Sequence, residues 1–181
     1  MNLIEALTEI KDPRRKEGMR YPLTPVLLVI IMSIMSGRNG FREIDKYAKA
    51  NKDFFLEIFP KKRTQLPSHV TYREIIKNIN FNEVLVIFEA WALSYITIEK
   101  NEWLAIDGKA LGSTVTNYSN NYQNFVSLVS VFSQKRGQII ATSKLENNKS
   151  SEIPTVKELI ERLDLKNVVF TLDALHCQKK H

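Results

Sequence analysis

With 181 residues, 44% of them hydrophobic and 25% charged, the chain can bury one sizeable core, or a small domain beside a part-built second one, and it is not a disordered polymer. Its single cysteine, Cys177, excludes an internal disulfide, and no basic-then-apolar leader opens the sequence, so a cytoplasmic, reducing location is expected. The formal net charge of +6 suits a phosphate backbone as partner, although charge alone does not establish one.

The first strongly apolar segment is Leu23 to Met35, LTPVLLVIIMSIM. It falls well short of the roughly 20 apolar residues that a membrane span needs. Pro25 near its first turn and Gly37 just past its end instead predict a buried helix. Three further helical faces follow: Phe41, Ile44, Tyr47 and Ala48; then Ile75, Ile76 and Ile79 behind a Ser68 cap; then Val84, Leu85, Phe88, Trp91, Ala92 and Tyr95. A helical domain over residues 1–100 is predicted.

After Asn101 the period becomes strand-like. Glu102–Ile106, Phe125–Phe132 and Gln138–Leu145 are short, rich in β-branched or aromatic residues and separated by turns, with the uncharged, Asn-rich run from Thr114 to Asn124 read as a loop. The Lys135-Arg136-Gly137 turn is short enough to make the second and third strands an antiparallel hairpin. A helix from about Pro154 to Leu163 follows, with Ile153, Val156, Leu159, Ile160 and Leu163 on one face, and then a strand, Val168–Leu172. A helical crossover lets that last strand lie parallel to one already in the sheet. If it lies beside the first, Asp107 at the end of one strand and Asp173 at the end of the other come together.

Two carboxylates at neighbouring strand ends repel unless a cation holds them together. Oxygen-only ligation suits Mg²⁺ or Mn²⁺, and a pair of such ions about 3.5–4 Å apart can stabilise the attacking and leaving oxygens of a phosphodiester displacement. Asp107-Gly108 is equally an ordinary turn signal, and aspartate is common at strand ends, so either residue alone says little. The matched placement of the two carries the reading.

The segments AIDGKAL at 105–111, LENNKSSEIP at 145–154 and FTLDALHCQKK at 170–180 are similar to successive core motifs of the H-repeat-associated group of insertion-sequence transposases. DPRRKEGMRYPL at 12–23, SGRNGFREIDKYA at 36–48 and LPSHVTYREI at 66–75 resemble that family's amino-terminal region, so the likeness covers nearly the whole chain. The resemblance implies an α+β protein. A helical transposase-associated domain over 1–100 would precede a partial ribonuclease-H-like α/β core over 101–181, built of three strands, a helix and a fourth strand. It further implies metal-dependent DNA cleavage and strand transfer with Mg²⁺ or Mn²⁺. Asp107 and Asp173 would be the first two acids of a catalytic triad. The expected partners are double-stranded DNA, as element ends and target, and further copies of the same chain, with no membrane.

Two departures from the family pattern stand out. An arginine usual soon after the Gly-Lys of the first motif is replaced in the run Lys109-Ala110-Leu111-Gly112. The third acid, a helix-borne glutamate, would fall beyond His181, so the chain reads as truncated before it. The alternative is a non-catalytic DNA-binding or oligomerising remnant. Glu146 and Glu152 are the acids between the two aspartates that could substitute, but both precede the crossover helix rather than following the fourth strand, and Glu152 suits the electrostatics of a helix amino terminus. Neither is adopted.

His176 beside Cys177 makes neither a zinc site nor a Cys-His pair, because adjacent side chains diverge and there is no second cysteine. His69 and His181 are too scattered for a metal cluster. The basic residues Arg14, Arg15, Lys16 and Arg20, then Lys61, Lys62 and Arg63, together with Lys109, are candidate phosphate contacts. Residues 1–63 hold 13 Lys or Arg against 8 Asp or Glu, and solvated loops account for such runs equally well.

Overall fold

A computed structural model describes residues 2–15, 19–60, 64–116 and 124–173. The chain divides into two compact units, Met1–Trp91 and Ala92–His181.

The first unit is helical, with α1 (Leu3–Thr8), α2 (Leu23–Met35), α3 (Phe41–Ala50), α4 (Lys52–Ile58), α5 (His69–Asn78) and the greater part of α6 (Phe81–Leu93). Helix α1 opens with a reciprocal cap: Asn2 accepts from the Glu5 amide at 2.9 Å, and the Glu5 carboxylate accepts from the Asn2 amide at 2.9 Å. Helix α2 is the apolar centre, burying Val26 to Ile30 as a continuous run. It stops where Gly37 adopts φ +78°, letting the Gly37 amide bond the Ile34 carbonyl and the Arg38 amide bond the Ser33 carbonyl, both at 2.9 Å. No helix among the described residues is long and apolar enough to cross a membrane.

Ile44 and Ala48 of α3, Phe55 of α4, and Tyr72 and Ile75 of α5 share one buried cluster with α2. The faces differ from the predicted ones at three points. Tyr72, one turn before Ile75, takes the core position expected of Ile76, which is exposed. Ser68 occupies the cap position of α5, but its side chain makes no capping hydrogen bond. Tyr95 lies beyond the end of α6 and is exposed, so it does not extend that helix's apolar face.

The second unit is a four-stranded mixed sheet backed by one helix: β1 (Trp103–Thr116), β2 (Asn124–Ser133), β3 (Gln138–Glu146), α7 (Glu152–Leu163) and β4 (Val169–Thr171). The strand order is β3-β2-β1-β4, with β4 parallel to β1 and the other pairs antiparallel. The β2–β3 hairpin turns at Gly137, φ +66°. Leu104, Ile106, Val129, Val131, Ala141 and Leu145 bury one sheet face against Val156 and Leu159 of α7. Ile153, expected on that helix face, is exposed.

Strand β1 corrects the sequence reading most. It does not end at Asp107 but continues to Thr116, so Asp107-Gly108 is no turn. An unbroken antiparallel ladder from Leu104↔Ser133 to Leu111↔Val126 outweighs the local turn preference. Thr114 to Thr116 belong to this strand rather than to a loop, and Asn124 opens β2; residues 117–123 lie outside the described residues. The Thr114 hydroxyl donates to the Leu111 carbonyl at 2.6 Å and accepts from the Val126 amide at 2.9 Å, bridging the irregular step before Thr116↔Asn124.

Candidate metal-binding site

Parallel pairing of β1 with β4 covers only three couples, Trp103↔Val169, Leu104↔Phe170 and Ala105↔Thr171. Asp107 and Asp173 each follow the last couple by two residues. Because side chains alternate along a strand, Ala105, Asp107 and Lys109 share one face, opposite the one that Leu104, Ile106 and Gly108 present to α7. Continuing the register sets Asp107 level with Asp173. Asp107 thus sits inside β1 on its β2 side, opposite Ser130, while its β4 side is past the end of the ladder. Both aspartates are exposed, as is Lys109.

The other side of β1 carries a close approach. A Cβ placed on Gly108 would lie 2.7 Å from Oε1 and 2.8 Å from Cδ of Glu152, the first residue of α7. With glycine there the carboxylate rests against the strand; a side chain at this position would make the flexible end of Glu152 swing aside.

The carboxylates suit a divalent cation with a preference for oxygen. Among the described residues no three Asp, Glu, His or Cys converge on one point. Mg²⁺ does not require such a cage, because it keeps several waters and is commonly held by one or two carboxylates plus substrate phosphates. Two exposed aspartates just past the end of a short parallel ladder fit that pattern.

The basic candidates fall into different surroundings. Arg14 is tied into its own unit: its guanidinium donates to Asp12 at 2.9 and 2.7 Å and to the Tyr21 carbonyl at 2.7 Å, and its side chain is 11% exposed. Hydrogen bonding from Arg14 holds the Asp12 carboxyl below its usual range. Arg15 and Arg20 are exposed, with Arg20 5.6 Å from the Tyr21 ring centroid. Lys16, Lys61, Lys62, Arg63, His176, Cys177 and His181 lie outside the described residues. His69 begins α5.

One buried charge is invisible to local sequence pattern. Glu102, 4% exposed just before β1, accepts from the Ser133 hydroxyl and from the Glu99 amide and pairs with Arg136 at 3.5 Å. These partners, the Ser133 hydroxyl first, pull its carboxyl below the ordinary value. It fastens the β2–β3 turn to the start of the strand that carries Asp107, and no local motif signals it because Ser133 is 31 residues away.

Comparison with known proteins adds the lineage. Residues 4–92 match the family described as DDE_Tnp_1-associated. The chain is 27% identical over 177 residues to "H repeat-associated putative transposase YhhI" of Escherichia coli (strain K12), covering 98% of this chain and 46% of that protein. The corresponding figures for "H repeat-associated putative transposase YbfD" of the same strain are 27%, 98% and 68%. For "Putative transposase YncI" of Escherichia coli O157:H7 they are 26%, 98% and 45%. The chain therefore spans about half the length of two of these three relatives and two thirds of the other.

Proposed function

We propose that the chain is a transposase of the H-repeat-associated kind that serves metal-dependent cleavage and strand transfer of insertion-sequence DNA, with Asp107 and Asp173 as metal-binding acids of a ribonuclease-H-like core. The observation that supports this reading is the Ala105↔Thr171 couple, the last of the parallel ladder, which each aspartate follows by two residues. The strand order β3-β2-β1-β4, with a helical crossover into a parallel fourth strand, supports the fold assignment.

In this mechanism the aspartates would hold Mg²⁺ or Mn²⁺, which would supply a lowered pKa for water and charge neutralisation at a phosphodiester. The sheet supplies positioning. Asp107 is fixed by its ladder to β2, and Asp173 follows two residues after the three couples that anchor β4. Lys109, two residues along β1 on the same face, is placed to meet phosphate oxygens. The helical unit contributes double-stranded DNA contacts through Arg15 and Arg20, with Lys16, Lys61, Lys62 and Arg63 as further candidates, and self-association joins two element ends. A cytoplasmic location completes the proposal.

The test is the metal response of the melting transition. A ligand at 100 times its Kd stabilises a fold by ~2.7 kcal/mol. Saturating Mn²⁺ is expected to raise the Tm of the wild-type chain, and Asp107→Asn or Asp173→Asn to remove that rise. An equal rise in both variants would refute the assignment.

A further inference from the structure

We infer that the solvent face of α3 is a docking surface for duplex DNA, with Arg42 and Lys46 each meeting a phosphate of one strand. The inference rests on the reading of the chain as a DNA-acting protein and adds a surface to it. Its basis is a separation of charge on α3: the acids of this helix are engaged within the helical unit, while two of its cations are not.

Ile44 and Ala48 are buried in the cluster shared with α2, which fixes the orientation of α3. Glu43 is taken up at the start of the helix, where its carboxylate accepts from the Gly40 amide at 3.2 Å. Asp45 is buried, and its Oδ2 accepts from the Lys49 ammonium at 2.7 Å. Arg42 and Lys46 are exposed, and neither has an acid partner among the described residues. What α3 presents to solvent is therefore positive, because its negative groups are spent on the cap and on the inward ion pair.

A helix standing alone in water does not favour this arrangement. Cations four residues apart repel each other. Arg42 also stands in the first turn of α3, where the helix dipole disfavours positive charge. A polyanion lying along the face offsets both effects. Residues four apart are separated by about 6 Å along a helix axis. Two nucleotides of one B-DNA strand occupy nearly the same axial length, at about 3.4 Å each. The two side chains are thus spaced for neighbouring phosphates, and such contacts position a protein on DNA without reading its sequence.

The affinity of the 181-residue chain for an end-labelled duplex of arbitrary sequence, followed by fluorescence anisotropy across a salt series, tests this. Arg42→Ala with Lys46→Ala is expected to weaken binding roughly 10- to 100-fold at about 0.1 M salt and to reduce the slope of log K against log salt by about 2, equally on unrelated sequences. Lys100→Ala with Lys166→Ala removes the same charge from exposed positions in the second unit and should leave the slope nearly unchanged. The Arg42 and Lys46 double variant should melt no earlier than wild type, because it removes a repulsion and no partner. If wild type binds duplex DNA and that variant keeps the wild-type slope, or loses no more than the Lys100 and Lys166 variant, the inference fails and the DNA-acting reading stands. If wild type binds no duplex DNA, both fail. Should the alanine variant melt early, Arg42→Gln with Lys46→Gln takes its place, and an unchanged slope there overturns the inference.

Discussion

Ala105 on β1 and Thr171 on β4 form the last couple of their parallel ladder, and each is followed two residues later by an aspartate. The candidate site therefore lies where pairing on one side of β1 stops while pairing on the other continues through Asp107↔Ser130. Asp107 is held by this ladder to β2, and both aspartates are exposed.

The helical unit separates two kinds of arginine. Arg14→Ala removes the partner of the partly buried Asp12 carboxylate and of the Tyr21 carbonyl, and is expected to cost about 1–3 kcal/mol of stability in thermal unfolding. Arg15→Ala with Arg20→Ala should leave the Tm nearly unchanged. That pair should instead lower affinity for duplex DNA uniformly across sequences and reduce the slope of log K against log salt by roughly 1 for each phosphate that is no longer neutralised. Equal DNA binding at all salt concentrations would remove Arg15 and Arg20 from the interface.

Glu102 is a pH-dependent clamp on the sheet. Its folded carboxyl titrates below its ordinary value of 4.5, so the stability it contributes is fully present above that value. This stability is lost as pH falls from 4.5 through the lower folded value. Glu102→Ala is expected to cost about 3 kcal/mol at neutral pH, because it strips the partner from the Ser133 hydroxyl and the Arg136 guanidinium. The cost should shrink in acid, and urea denaturation at about pH 7 and about pH 3 compares the two. A constant difference would show that Glu102 acts through packing alone.

Gly37→Ala tests the stop of α2. At φ +78° an alanine is strained although nothing crowds its Cβ, so a loss of ~1 kcal/mol is expected. A loss below a few tenths would mean that the helix end readjusts.

Much of the architecture is legible in local pattern. Pro25 and Gly37 bracket α2 correctly, β3 lies within a residue of its predicted span, and the crossover helix returns the chain as a parallel strand. Local pattern ends the strand at Asp107 because Asp-Gly favours a turn over a few residues, whereas the ladder there pairs Asp107 with Ser130 and Gly108 with Val129, more than twenty positions away. The surroundings of Arg14 are not legible for another reason, since its guanidinium is taken up in part by a backbone carbonyl, that of Tyr21, which any residue type would supply. The contact between Glu152 and Gly108 is equally hidden, because it exists only once α7 is packed against the strand.

The most direct measurement of the central claim is metal-directed cleavage of the polypeptide, with Fe²⁺ replacing Mg²⁺ and peroxide with ascorbate generating hydroxyl radicals at the bound ion. The account predicts backbone cuts clustered around Asp107-Gly108 and around Asp173, competed by Mg²⁺ and lost in Asp107→Asn. Cuts at other positions, or the same cuts undiminished in Asp107→Asn, would contradict it.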